Sequence, residues 1–238
     1  MKKIKFHVFI AILAIFIDFI SISASFGQRG WKIGIGNNLT EYKFVSSQGL
    51  KANYFKMGAG SSAFISSEKS FLDTTKFLGG TDRQSIYFQN NKTFAKLLSK
   101  ITYEIGLSYN QYNATGDVQS YGFRYQTNYL GFLGGLGTYF EMGQGFSMGV
   151  KAKLYAQQLL QGTQELNGHF LDVREDVDFN KPLLFAGYSI ELNKQVRSGI
   201  MIFVQGDHNK TFKSEVINAK TLNFSTYNLA FGIKFRPI

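Results

Sequence analysis

His169 and His208 are the two histidines left once the N-terminal leader is set aside, and each has a carboxylate close by in sequence, Asp172 and Asp207. A histidine beside a carboxylate can act as a general base. No nucleophile stands at a recognisable spacing from either, so both read as solvated loop residues. The stretch DVREDVDF gathers Asp172, Glu175, Asp176 and Asp178. Such oxygens suit calcium, but the alternating ligands, the glycine and the closing glutamate of a calcium loop are missing, and a solvated loop tip is the simpler reading. GFLGGLG, at 131–137, lacks the Lys-Ser/Thr of a phosphate loop and opens no helix. It reads as a bend in a barrel, or as room for a neighbouring side chain. The expectation is therefore no catalytic, cofactor-binding or metal-binding residue, and no cofactor.

The elements that carry these residues are strands. In SKITYEIGLSYNQY, Ile101, Tyr103, Ile105, Leu107 and Tyr109 alternate with Thr102, Glu104, Gly106, Ser108 and Asn110. In GFSMGVKAKLYAQQ, Phe146, Met148, Val150, Ala152, Leu154 and Ala156 alternate with Ser147, Gly149, Lys151, Lys153, Tyr155 and Gln157. Successive side chains of a strand point to opposite faces, so each run has an apolar face and a polar one. Each is about ten residues long, enough for a tilted strand to cross a bilayer. The pattern returns at Leu184–Leu192, at Ile200–Val204 and in the closing STYNLAFGIKFRPI, where Tyr227, Leu229, Phe231, Ile233 and Phe235 share a face. Tyr121, Phe123 and Tyr125 form an apolar set opposite Gly122, Arg124 and Gln126, and this alternation slips near Gly131. A first strand is expected around Trp31 to Phe44 and a second before Lys100. The segment FLDTTKFLGGTDRQSIYFQNNKTFAKLL is open between strand, loop and helix.

The connections alternate in length. EMGQG and LNKQVRSG are turn-like, while QGTQELNGHFLDVREDVDFNK and GDHNKTFKSEVINAKTLNFS are long and polar. Short periplasmic turns with longer external loops is the plan of a transmembrane barrel.

The chain opens with Lys2, Lys3 and Lys5 ahead of an apolar run from Phe6 to Ile20 and a small-residue tail. That is the layout of a secretory signal peptide, with cleavage expected after Gly27. Residues 1–27 are then leader and 28–238 a single barrel domain. Without its three lysines and Asp18, the formal charge falls from +10 to +8, which suits anionic lipid surfaces and, in an exported chain, gives no reason to expect nucleic-acid binding. An exported chain with 0 cysteines, 24 Phe and 13 Tyr must be held together by architecture rather than disulfides.

On these runs and on its terminal strand, the chain resembles the small outer-membrane β-barrel family of the OmpX and OmpW kind. Six strands counted back from the C-terminus, with one or two in front and an even number required for both termini to share a side, give about eight strands, with ten as the alternative. The resemblance implies that they form an all-β, closed, antiparallel up-and-down transmembrane barrel. It implies a lumen filled by side chains, insertion by the barrel-assembly machinery and a place in the cell outer membrane. Family members usually end on an aromatic residue, whereas Phe235 here stands three residues before the terminal Ile238.

A soluble, lipocalin-like binding barrel would alternate too, with its apolar face inward. Two features point the apolar face at lipid. The polar faces are rich in Gly, Ser, Thr, Asn and Gln with scattered Glu104, Glu191, Lys151 and Arg124, which suits a narrow lumen. The apolar faces carry Tyr109, Tyr121, Tyr227 and Phe235 near their ends, as an aromatic girdle does. With both termini in the periplasm, Arg29, Lys32, Lys100, Lys194, Arg197, Lys234 and Arg236 are expected at the periplasmic rim. The expected role is structural or interactive, through external loops that meet an envelope protein partner, with outer-membrane lipids around the wall. The alternatives are a narrow channel or carrier for small or hydrophobic compounds, and an envelope enzyme using the loop histidines.

Overall fold

The computed structural model describes residues 30–45, 51–52, 55–71, 93, 100–118, 121–212 and 221–235. The leader, Arg29, Arg236 and most of 72–99, including the segment left open above, lie outside the described residues. Eight long strands make the wall: β1 (Gly30–Val45), β3 (Phe55–Ser70), β4 (Ile101–Val118), β5 (Tyr121–Gly143), β6 (Phe146–Leu166), β8 (Leu183–Arg197), β9 (Ile200–Thr211) and β10 (Thr221–Phe235). Each pairs antiparallel with its neighbour in chain order. β10 returns to β1, from Trp31↔Phe235 to Val45↔Thr221, and closes the barrel. Closure matters physically because it leaves the wall no unpaired edge. Two short strands lie off this ring. β2 (Lys51–Ala52) continues the row beside the end of β1, and β7 (His169–Asp172) folds back on the end of β6.

The count of eight is the one expected from the sequence, but the connections depart from its plan. β6 runs on to Leu166, turns at Asn167 and Gly168, both at positive φ, and returns as β7. Much of the supposed long loop is therefore a hairpin. A 3-10 turn (Val173–Glu175) and the one-turn helix α1 (Val177–Asn180) then lead into β8. At the same end, β4 and β5 are joined across residues 119–120 alone. At the end that carries the termini, the turns at 144–145 and 198–199 are tight. The long connection from Phe71 to Ile101 is at that end too, and its two stems meet in a backbone hydrogen bond from Phe71 N to Ile101 O, 2.9 Å.

GFLGGLG carries no register shift in the ladders on either side of β5. Gly131, Gly135 and Gly137 all face the interior, where a Cβ at 137 would run into the Lys151 stem at 2.6 Å from Cγ. The irregularity lies across the ladder in β6, where Asn128↔Gln161 is followed by Tyr129↔Leu159 and Leu160 is left over as a bulge.

Candidate functional site

Residues that point away from the barrel axis form a belt. On β1 they are Trp31, Ile33, Ile35 and Leu39, on β5 Leu130, Leu136 and Phe140, and on β10 Tyr227, Leu229, Phe231, Ile233 and Phe235, all exposed. Ile190, Leu192, Ile202 and Val204 continue the belt on β8 and β9. From Phe235 to Tyr227, eight steps of about 3.3 Å along a tilted strand rise roughly 20 Å, and the terminal side chains bring this close to the roughly 25 Å apolar band of a membrane barrel. The opposite face of the same strands is charged. Lys32, Lys151, Lys153, Lys234, Glu104 and Glu191 are at most 1% exposed, and all point into the lumen. The barrel is inside out.

An apolar belt outside and buried charges within cannot be the plan of a water-soluble barrel, so the lipocalin-like reading falls. The chain is a transmembrane β-barrel of the outer-membrane type. Inside the belt, Lys151 Nζ reaches Glu104 at 2.9 Å and Glu191 at 3.1 Å and also bonds Glu68. Lys153 meets Glu104 at 2.7 Å and Lys234 meets Glu68 at 2.6 Å, while Lys32 bonds Glu191 and Gln205. The Tyr139 hydroxyl donates to Glu68 at 2.7 Å and to Glu191 at 2.8 Å as alternative acceptors. Phe203 lies under the Lys32 ammonium, 4.4 Å from ring centroid to nitrogen. Each charge has opposite partners at bonding distance, which is what burying it requires.

A polar layer follows. Gln157 donates to Ser108 at 3.1 Å, and Asp207 accepts from Gln205 at 2.8 Å and from Asn228 at 3.1 Å. Beyond it the wall reverses. Tyr42, Tyr112, Tyr129, Phe123, Phe185, Leu222 and Phe224 are buried inside, while Lys43, Arg124, Gln126 and Lys210 are exposed outside. Met57, Leu160, Phe170, Leu171 and Phe212 are exposed at this end too. An aromatic interior under a largely polar outer face is nevertheless the polarity of a soluble protein, and on that ground this part of the barrel is assigned to water beyond the membrane. The segment after β7 packs into this core from above. Phe179 is stacked on Tyr125 at 5.3 Å, its carbonyl accepts from the Tyr129 hydroxyl at 3.1 Å, and Val173 joins the same core. Burial pushes the Tyr42 and Tyr112 hydroxyls above their ordinary pKa, and they serve as neutral donors to Tyr112 O and Gln157 Oε1, at 2.9 and 2.8 Å.

Several sequence assignments are corrected by this reversal. Phe123 is buried and Tyr125 packs against the inner cluster, while Arg124 and Gln126 face out, because β5 leaves the membrane before reaching them. Arg124 is therefore no lumen charge, and the side chain of Tyr121 lies outside the described residues. The slip at Gly131 was an exchange of surroundings with no change of face: odd residues of β5 point inward from Phe123 to Tyr139. Lys32 and Lys234 are lumen residues, whereas Lys100 and Arg197 are exposed at the terminal end. Lys194 is there too, donating to Gln144 O at 2.6 Å and lying over Phe146.

The candidate chemistry does not assemble. His208 and Asp207 are neighbours within β9 rather than loop residues, so Asp207 points into the lumen and His208 out of the wall. His169 and Asp172 are exposed at the two ends of β7. Asp172 caps the 3-10 turn, accepting from Arg174 N at 2.8 Å and Arg174 Nε at 2.7 Å. The hydrogen bonds from the Arg174 side chain, then its backbone, hold the Asp172 carboxyl below its usual pKa. Among the described residues, no three metal-ligating side chains converge. The lumen network and the reversal had a signal in the sequence, since polar faces carrying Lys and Glu gave way to Phe and Tyr at inward parity towards one end.

No protein-family model matches the chain, and no curated protein matches it. Solved structures are similar to it in fold. Neisserial surface protein A is 12% identical, with 86% of this chain and 97% of that one covered at a TM-score of 0.39. The outer membrane protein OprG of Pseudomonas aeruginosa is 9% identical, covering 89% and 96% at 0.42. The outer membrane protease OmpT of Escherichia coli is 8% identical, covering 88% and 97% at 0.37.

Proposed function

We propose that the chain is a non-enzymatic component of the cell outer membrane that presents its water-exposed extension, with the β6–β7 hairpin, to a protein partner in the envelope or outside the cell. One observation carries this reading. An ion-paired layer within the membrane and an aromatic core above it both occupy the lumen, which supports the outer face as the working surface. Outer-membrane lipids surround the belt, the barrel-assembly machinery inserts the chain through its terminal strand, and nucleic acid has no part. In this reading the termini lie in the periplasm.

Two measurements test it. In planar bilayers the purified protein gives no conductance steps, and a tag inserted at the Asn167–Gly168 turn is reached by antibody on intact cells while a C-terminal tag is not. Steady open-channel conductance would favour the channel reading instead, and a surface-exposed C-terminus would turn the extension inward and remove the partner surface.

A further inference from the structure

One row of the outer wall is unlike the rest of the belt. Tyr188 on β8, His208 on β9 and Tyr227 on β10 are direct register partners. The His208 ring is stacked on Tyr227 at 4.4 Å and meets Tyr188 edge-on at 5.5 Å. Both tyrosines are about half exposed. His208 Nδ1 lies 3.2 Å from the Thr226 carbonyl. Lys210 is exposed on the same face, one step further from the membrane centre. Outward of this row β9 carries the exposed Lys210, and on that ground the row is taken to border the lipid headgroups. A histidine placed deeper would be costly, whereas here it borders the headgroups.

The next row towards the membrane centre is Ile190, Gly206 and Leu229. A Cβ on Gly206 would meet nothing within 4 Å. The two flanking side chains are about half exposed, so they stand up on either side of a bare floor. A notch open to lipid thus lies directly beneath a row bearing an imidazole and two tyrosine hydroxyls, with Lys210 beyond it.

We propose that β8, β9 and β10 hold an individual anionic phospholipid, its phosphate met by His208 and Lys210 between the Tyr188 and Tyr227 hydroxyls, and one acyl chain lying over Gly206 between Ile190 and Leu229. Lys210 supplies a charge-assisted bond to a phosphate oxygen, and the Tyr188 and Tyr227 hydroxyls and the His208 ring offer polar contacts beside it. The acyl chain gains contact along the two side chains. The site depends on neither the external partner nor the direction of the barrel.

Gly134 supplies the control. It also faces lipid with nothing within 4 Å of a Cβ, between Ile105 and Leu154 in register. The row outward of it is Leu107, Phe132 and Ala156, with no cation. The folded protein in mild non-ionic detergent is loaded with dioleoyl phosphatidic acid or dioleoyl phosphatidylcholine, and retained lipid is counted by native mass spectrometry. One phosphatidic acid is retained in preference to phosphatidylcholine, and inorganic phosphate at equal concentration does not displace it. Gly206→Leu and the double variant His208→Ala/Lys210→Ala each lower retention about tenfold, the scale of one lost charge-assisted bond or a blocked apolar contact. Gly134→Leu leaves retention unchanged. All variants keep the fast mobility of the folded barrel in unboiled gels. Wild-type retention by Gly206→Leu, equal loss in Gly134→Leu, equal retention of phosphatidylcholine, or displacement by inorganic phosphate would each overturn the proposal.

Discussion

Lys151→Met is expected to lower the unfolding free energy of the vesicle-inserted barrel by about 3–5 kcal/mol, the cost of leaving buried charge uncompensated. The ammonium sits among Glu68, Glu104 and Glu191. Methionine fills much of the same volume but offers those carboxylates nothing. Lys153, whose ion pair is with Glu104 alone, leaves a smaller deficit when replaced, because Glu104 keeps Lys151. Adding Glu104→Gln to Lys151→Met restores part of the loss by removing a stranded charge. A urea titration read by unboiled gel mobility, or by fluorescence of Trp31, the single tryptophan, gives the number. Trp31 is half exposed on the belt, so its emission reports departure from lipid. A loss under about 1 kcal/mol would mean that water reaches these groups and the lumen is not dry.

The second large effect is on the outer face. Leu136→Arg places a cation near the middle of the belt and is expected to cost about 2–4 kcal/mol, whereas Gln126→Arg, on the same strand and the same face, should stay within about 0.5 kcal/mol. Both positions are exposed and point outward. They differ only in what surrounds them, lipid at 136 and water at 126. The same titration measures both. Equal costs would show that β5 does not leave the membrane between them.

The alternation of Ile101–Tyr109, Phe146–Ala156 and Tyr227–Phe235 marked the clearest strands, and an even number of strands then gave eight, with ten as the alternative. The polar faces carrying Glu104, Glu191 and Lys151 suited a narrow lumen without showing which groups pair there. What alternation alone does not carry is the medium on each side. Phe123 and Tyr125 look like lipid-facing residues because an aromatic side chain is equally at home in a bilayer and in a dry core. Lys32 and Lys234 look like rim anchors because their chain positions lie near strand ends, and only the register that sets them opposite one another and draws Glu68 and Glu191 towards them places them in the lumen. His208 looked like a loop residue since the polar run of Asp207 to Lys210 breaks the apolar pattern. It is instead the point where β9 passes from lipid into water.

The central claim is that one continuous wall reverses its polarity along its length, and a cysteine scan of β5 tests it most directly. The chain has 0 cysteines, so single substitutions from 123 to 140 can each be spin-labelled in vesicles and probed with oxygen, which partitions into lipid, and with a water-soluble nickel complex. Labels at 130, 132, 136 and 140 should respond to oxygen, and labels at 124 and 126 to nickel. Labels at 123, 125, 127, 129 and 133 should be shielded from both. Nickel access at the inward positions, or oxygen access at 124 and 126 equal to that at 136, would contradict the account.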